Sequence, residues 1–247
     1  MHPLLVGILN LTPDSFSDGG QYVVPQKALA RAKQLFTEGA ALIDVGAEST
    51  RPGATPLTAD EEWQRLEPVL PALLREYPGK LSLDTYHAKT AARALALGDV
   101  IINDITGLSS PEMFELVASR RCRVIISHAP ATHPSEIHQH ELDDAAVVTR
   151  DLLAKAQALE TRGVTRRNII LDPGIGFGKT MRLNKELLTF AKTVPDYAVM
   201  IGYSRKRFLG AERMELAPNL AAGKIAAAAG ARYVRVHDVS GHAALVK

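Results

Sequence analysis

Eight short apolar segments, each leading into a polar residue, constrain the fold of this 247-residue chain more than any other sequence feature. The segments are rich in Val, Ile and Leu and do not alternate strictly with polar residues, which is typical of parallel strands covered on both faces. They are LLVGIL before Asn10, ALIDVG with Asp44, KLSL before Asp84, VII before Asn103, CRVII before Ser127, NIIL before Asp172, AVMIG before Tyr203 and RYVRV before His237.

Segments with helix signals separate the predicted strands. Pro68 and Pro71 should bend or split one of these helices, and the final segment, SGHAALVK, has room for only about two helical turns. The predicted helices cover residues 25–38, 59–76, 87–97, 111–119, 142–162, 183–193 and 219–229.

Eightfold alternation of strands and helices predicts an α/β fold, a closed (β/α)₈ TIM barrel with its active site at the C-terminal ends of the strands. A doubly wound open sheet is the alternative. We favour the barrel because every strand leads into a chemistry-capable residue, whereas an open sheet needs such residues only near its switch point. Without a linker or a composition shift, residues 1–247 are interpreted as one domain.

The composition excludes several classes of partner. The chain has 29 basic and 27 acidic residues and no polybasic block, so we expect binding to neither nucleic acid nor a membrane surface. No apolar run approaches the roughly 20 residues that span a bilayer, and the N-terminal sequence lacks the features of a signal peptide. The single cysteine, Cys122, fits a reducing compartment, so we expect a cytoplasmic protein.

The barrel topology should gather polar side chains at one mouth. Carboxylates, amides and cations in one pocket suit a polar heterocycle beside an anion, although any single one of them is an ordinary turn former or helix cap. The set is Asn10, Asp44, Asp84, Asn103, His128, Asp172, Lys206, Arg235 and His237.

Two loops near the N-terminus carry more specific signals. Asn10 ends the first strand, where its amide oxygen suits a hard cation, and Phe16 is an unusual aromatic residue within the loop that follows. After the second strand, Arg51 offers a planar set of donors for phosphate, next to the hydroxyl of Thr50. Both loops are candidates for contact with a ligand.

A glycine-rich segment, residues 171–180, resembles two phosphate loops and fits neither. Pro173 stands where a Walker A loop needs Gly, and the spacing G-x-G-x-G is not that of a dinucleotide fingerprint. We interpret the segment as a flat platform for a planar ring, with Asp172 hydrogen-bonded to the ring edge.

The last two strand ends carry cations. Lys206, in Ser204–Arg205–Lys206–Arg207, should bind an acceptor atom or a carboxylate at the mouth. Arg235 and His237 are two residues apart on one strand, so they share a face and suit a phosphate. The other histidines carry no zinc-ligand pattern, and we expect His87 and His242 at the surface.

These segments, with Leu83–Asp84–Thr85 and Ile102–Asn103–Asp104, resemble the signature motifs of dihydropteroate synthases, in family order and over nearly the whole chain. The resemblance implies an enzyme of folate biosynthesis that condenses 6-hydroxymethyl-7,8-dihydropterin pyrophosphate with 4-aminobenzoate. The products are 7,8-dihydropteroate and pyrophosphate, formed through an SN1-like, carbocation-like pterin, with Mg²⁺ as the metal. It also implies a homodimer contact through the late helices, although the final helix here is short.

Site roles follow from the resemblance, residue by residue. Asp84, Asn103, Asp172 and Lys206 would hold the pterin, with Asp84, Asp172 and Lys206 as the catalytic residues. The pyrophosphate would be held by Asn10, which would also ligate Mg²⁺, together with Arg51, Arg235 and His237. The 4-aminobenzoate site would be bordered by Phe16, Thr50, Pro52, Phe177, Lys206 and Arg207.

Departures from the family pattern keep two other functions open. The chain has Ala47 where a second Gly is common, and Ser127–His128–Ala129 where a Met-His-Met-type segment is usual. A non-catalytic pterin-binding homologue is one alternative. The other is a corrinoid-dependent methyltransferase domain, against which the Ser-Arg-Lys and Thr50–Arg51–Pro52 segments argue.

Overall fold

The computed structural model describes residues 2–12, 23–48, 55–131 and 134–246. Eight parallel strands close into a barrel in sequence order, with β8 paired to β1, which confirms the predicted (β/α)₈ barrel and excludes the open sheet. The strands are β1 (Leu4–Asn10), β2 (Leu42–Gly46), β3 (Leu81–Asp84), β4 (Ile101–Asp104), β5 (Val124–Ser127), β6 (Ile169–Asp172), β7 (Ala198–Ile201) and β8 (Tyr233–Val236).

Helices surround the barrel close to the predicted positions. The segment predicted over 59–76 divides in two, as Pro68 and Pro71 indicate, and the segment predicted over 183–193 ends in a 3₁₀ helix (Leu187–Lys192). The α-helices are α1 (Val23–Thr37), α2 (Ala59–Leu66), α3 (Leu70–Glu76), α4 (Ala88–Leu97), α5 (Pro111–Arg120), α6 (Ala145–Thr161), α7 (Met181–Glu186) and α8 (Leu216–Ala228). Shorter 3₁₀ segments cover Pro134–Gln139, Arg166–Asn168, Arg207–Leu209 and Ser240–Leu245.

Local sequence explains where several helices begin. Thr58 caps α2 through a reciprocal pair of bonds with Glu61, and the Ser110 hydroxyl accepts from the backbone N–H of Met113 at the start of α5. Each cap satisfies backbone donors that a helix terminus leaves unpaired. The helices therefore begin where the loops at the barrel mouth end.

Side chains inside the barrel form layers that change from apolar to polar along the strands. The lower layer is a separate apolar cluster of buried residues, and it consists of Val6, Leu42, Ile101, Ile125, Ile170 and Met200. Because alternate residues of a strand share a face, the residues two positions further on also face inward. Those positions hold Asp44 on β2, Asn103 on β4 and Asp172 on β6. This apolar floor lies beneath the polar mouth that the sequence predicts.

A second and larger apolar cluster packs the outward faces of the strands against the helices. The two clusters leave the polar layer enclosed at the C-terminal end of the barrel. Across the described ranges, no helix combines the length and apolar character that crossing a membrane requires.

Candidate active site

One guanidinium joins two carboxylates at the centre of the mouth. Arg235 on β8 donates from Nε to Asp44 Oδ2 at 2.5 Å and from Nη2 to Asp84 Oδ2 at 2.9 Å. Asp44 is fully buried, whereas the side chains of Asp84 and Arg235 each keep 20% of their surface exposed. The exposed part of this triad is therefore available to a ligand, while Asp44 serves as its internal partner.

Asn103 extends the network along β4 and presents an acceptor. Its Nδ2 donates to Asp44 Oδ2 at 3.1 Å, and the Ser82 hydroxyl donates to Asp44 Oδ1 at 2.5 Å. The remaining polar atom of the amide, Oδ1, is buried and has no hydrogen-bond partner among the described residues. Because an unpaired buried carbonyl is costly, this oxygen is suited to accept a hydrogen bond from a bound donor.

The glycine-rich loop after β6 folds tightly over the mouth. The backbone N–H of Gly174 donates to Asp172 Oδ1 at 2.7 Å, which fixes one oxygen of that carboxylate. Gly174 has φ +66°, and a Cβ there would lie 2.0 Å from the carbonyl oxygen of His128, so only glycine fits this approach. The predicted platform is thus held against the end of β5.

Lys206 lies across this platform. A Cβ at Gly176, whose φ is +85°, would lie 2.9 Å from Lys206 Cδ. The ammonium of Lys206 is 4.4 Å from the centroid of the Phe177 ring, a cation–π contact. Lys206 and Phe177, both predicted beside 4-aminobenzoate, therefore contact each other next to Asp172.

Burial and charge shift the pKa values of the central groups towards neutrality. Burial, together with the Asp44 carboxylate, raises the pKa of Asp84 to about 7, although Arg235 opposes both effects. Burial lowers the pKa of Lys206 to about 8, with Arg235 adding to the shift and Asp172 and Asp84 opposing it. Burial also raises the pKa of Asp172. Titration near neutral pH is typical of functional sites.

The turn before Lys206 has a strained backbone. Arg205 has φ +60°, which is unusual for a residue other than glycine. Its N–H donates to Asn219 Oδ1 at 2.8 Å, and Asn219 Nδ2 donates to the carbonyls of Arg213 and Glu215. This buried amide at the start of α8 holds the turn that presents Lys206.

The other predicted residues at this end of the barrel are placed as follows. His237 Nδ1 lies 3.0 Å from the Ser204 hydroxyl, and Asn10 ends β1 opposite Gly46, partly exposed. Arg207 is exposed at the start of its 3₁₀ helix. The residues predicted on the first two loops lie outside the described residues, and they are Phe16, Thr50, Arg51 and Pro52.

Two expectations about histidines are wrong. His128 does not join the pocket, because Ser127, paired with Asp172, takes the inward position at the end of β5. The His128 ring instead lies 3.5 Å from Asp151 of α6, and burial lowers its pKa to about 4. His242 is buried rather than at the surface, with Nδ1 2.6 Å from the Asp238 carbonyl oxygen. His87 is half-buried and lies 3.2 Å from Glu48.

The sequence predicted no role for three residues that support the site, Ser82, Asn219 and Lys179. Ser82 precedes Asp84 by two positions on β3, so strand alternation alone would have placed it in the mouth. Asn219 and Lys179 gave no such signal, because their partners are backbone atoms of loops brought near by the fold.

Comparisons with known proteins agree with this geometry. The family model described as "Pterin binding enzyme" matches residues 6–237. A dihydropteroate synthase of Streptococcus pyogenes serotype M3 is 40% identical over 253 aligned positions, covering 98% of this chain and 92% of the relative.

Solved structures give the same result. The Xanthomonas albilineans dihydropteroate synthase with 4-aminobenzoic acid superposes with a TM-score of 0.88 at 38% identity, covering 99% of this chain and 91% of that one. The same enzyme in complex with 7,8-dihydropteroate gives a TM-score of 0.84 at 34% identity, with the same coverage. Given these matches and the carboxylate, amide and lysine cluster at its barrel mouth, the chain belongs to the dihydropteroate synthase family of pterin-binding enzymes.

Proposed function

We propose that the chain is a transferase that condenses 6-hydroxymethyl-7,8-dihydropterin pyrophosphate with 4-aminobenzoate. The observation that carries this proposal is the set of complementary groups at the mouth. Asp84 and Asp172 supply acceptor oxygens, Asn103 supplies a buried carbonyl oxygen without a partner among the described residues, and Lys206 supplies a donor. The edge of a pterin ring alternates donors and acceptors, so this set recognises it.

The reaction needs no nucleophile from the protein. The bond between the exocyclic methylene carbon and the pyrophosphate oxygen breaks, and its electron pair leaves with pyrophosphate. The amine nitrogen of 4-aminobenzoate bonds to the same carbon and loses a proton, giving 7,8-dihydropteroate. An SN1-like path leaves positive charge on the pterin, which the ionised carboxylates of Asp84 and Asp172 would stabilise.

Mg²⁺ is proposed as the metal. Within the described ranges, no cluster of three or more His, Cys, Asp or Glu side chains is arranged to hold an ion. Mg²⁺ is usually bound by one or two protein oxygens together with substrate phosphates and water, and the partly exposed amide of Asn10 fits that demand. When bound, Mg²⁺ would offset negative charge on the pyrophosphate.

The remaining substrate contacts are predictions from the family. Arg51, Arg235 and His237 are proposed to hold the pyrophosphate, and the bond between Arg235 and Asp84 would link this group to the pterin site. The proposed border of the 4-aminobenzoate site includes Phe177 and Lys206, which contact each other. The other proposed border residues are Phe16, Thr50, Pro52 and Arg207.

Release of pyrophosphate tests the function directly. The full chain should release pyrophosphate only when both substrates and Mg²⁺ are present, and Asp172→Asn should remove the activity while keeping the circular dichroism spectrum. Absence of release from folded wild-type protein would contradict a synthase. Pterin binding in a calorimeter without turnover would then favour the non-catalytic homologue, and methyl transfer from a methylfolate would favour a methyltransferase.

A homodimer is proposed as the assembly because α8 has an uncovered apolar face. Ile225 is 46% exposed, and Ala221 and Ala228 lie on the same exposed side of the helix, with Lys224 as its charged residue. Apolar patches of this kind mark protein interfaces. Sedimentation equilibrium should give a dimer that Ile225→Glu dissociates. A wild-type monomer over the whole accessible concentration range would rule out this assembly.

A further inference from the structure

Lys179 is a buried lysine. Among the described residues, each of its hydrogen bonds goes to a backbone carbonyl. Lys179 is 9% exposed. Its Nζ donates to the carbonyl oxygens of His128 at 3.0 Å, Gly174 at 2.9 Å and Phe177 at 3.0 Å. An ammonium has three donors, so these bonds use all of them. Burial lowers the pKa of Lys179 to about 7, and the Asp172 carboxylate opposes that shift.

The three carbonyls belong to the two loops that shape the site. His128 follows β5, whereas Gly174 and Phe177 belong to the glycine-rich loop after β6. The N–H of Gly174 donates to Asp172 Oδ1, and the ring of Phe177 contacts Lys206. The Lys179 ammonium therefore holds the loop backbone that positions Asp172, a predicted pterin contact. It also holds the backbone of Phe177, a predicted 4-aminobenzoate contact.

Asn184 on α7 braces the same loop from the other side. Its Oδ1 accepts from the N–H of Gly176 at 2.6 Å, and its Nδ2 donates to the carbonyl of Lys179 at 3.0 Å. The loop thus has two side-chain braces, and the one that reaches across to β5 is Lys179.

We propose that Lys179 is a positioning residue for the condensation, holding Asp172 and Phe177 at their separation through the loop backbone. This inference rests on the proposed function. Because Lys179 donates to the protein backbone, its effect on catalysis would be exerted through Asp172 and Phe177, the two predicted substrate contacts. Small displacements of such groups cost about 10- to 100-fold in rate.

Lys179→Met tests the proposal, because it keeps an unbranched chain of similar length and removes the three donors. Two controls are matched to it. Lys185→Met removes an exposed lysine from α7, the helix that follows the loop, and Val117→Ala removes volume from a fully buried site on α5, away from the mouth. Steady-state kinetics for both substrates, calorimetric binding of the pterin pyrophosphate and melting curves would be measured well below the melting temperature of every variant.

Lys179→Met should lower kcat/KM by about 10- to 100-fold, with a higher KM for 4-aminobenzoate and weaker pterin binding. Lys185→Met and Val117→Ala should keep wild-type kinetics, even where Val117→Ala melts as early as Lys179→Met. Kinetic constants of Lys179→Met within twofold of wild type, or an equal loss in Val117→Ala, would overturn the positioning role. Failure of the proposed function would be recognised separately, as wild-type protein that releases no pyrophosphate.

Discussion

Arg235 donates a hydrogen bond from Nε to Oδ2 of Asp44, 2.5 Å away and 191 residues earlier in the chain. The same carboxylate accepts from Asn103 and Ser82, so one buried aspartate orients side chains from three other strands. A buried charge with several donors is held in one geometry. Asp44 is thereby the organising residue of the mouth, because it fixes the side chains of Arg235, Asn103 and Ser82.

Asp44→Asn is expected to weaken both stability and activity, because it removes the charge of one of the two carboxylates to which Arg235 donates. Breaking a buried ion pair from one side costs about 3 kcal/mol of unfolding free energy. The disturbed geometry should lower kcat/KM by about 100-fold. Urea unfolding and steady-state kinetics measure the two effects. Asp99→Asn, at an exposed carboxylate bonded to Arg123, is the control, and equal losses in both variants would contradict the role of Asp44.

Activity should depend on pH with two limbs near neutrality. The pKa of Asp84 is raised to about 7, so its carboxylate loses its charge below pH 7. The pKa of Lys206 is lowered to about 8, so its ammonium loses its charge above pH 8. Plots of kcat/KM against pH for the pterin substrate should therefore peak between these values. Lys206→Arg should remove the basic limb from the residual activity, because guanidinium stays charged. A basic limb that persists unchanged would assign it to another group.

Asp84→Asn should stabilise the fold at alkaline pH while abolishing activity. In the folded protein the pKa of Asp84 is about 7, above the ordinary value of 3.8, so folding favours the neutral acid. The stability contributed by this group is present below about pH 4 and is lost as the pH rises through 7. The asparagine variant cannot ionise, so its melting temperature should exceed that of wild type more at pH 8 than at pH 5. Each kcal/mol corresponds to about 2 to 4 °C in a chain of this size. An equal difference at both pH values would refute the prediction.

Because Gly223 lies close to Tyr203, adding one methyl group at Gly223 should strongly reduce the stability of the fold. A Cβ at Gly223 would lie 2.3 Å from the Tyr203 hydroxyl oxygen and 2.6 Å from Leu245 Cδ1. Gly223→Ala should therefore cost about 3 kcal/mol, as overpacking does. The Tyr203 hydroxyl is buried without a partner in the described part of the chain, so Tyr203→Phe should be close to neutral.

Chemical denaturation of the two single variants and the double variant measures this coupling. Tyr203→Phe should recover part of the stability that Gly223→Ala loses, because it removes the oxygen that the new methyl group meets. Additive effects of the two substitutions would show that the hydroxyl is not the obstacle.

The amino-acid sequence by itself determined the barrel. Strand and helix periodicity is a local property, and eight apolar segments with intervening helices have few ways to bury both faces of every strand. The polar residues at the ends of the strands were also visible, because their positions follow from where the apolar segments stop. For that reason the sequence predicts Asp84, Asn103, Asp172 and Lys206 at the mouth without any knowledge of contacts.

Tertiary structure alone decided which of these groups touch one another. The sequence predicted Arg235 and His237 as phosphate ligands but gave no sign of the bonds from Arg235 to Asp44 and Asp84. It placed His128 in the mouth, but register with Asp172 gives the inward position to Ser127. In the sequence, Lys179 is one residue of the 171–180 segment that matches no phosphate loop. Its partners are backbone carbonyls, which every residue carries, so only their arrangement in space distinguishes them.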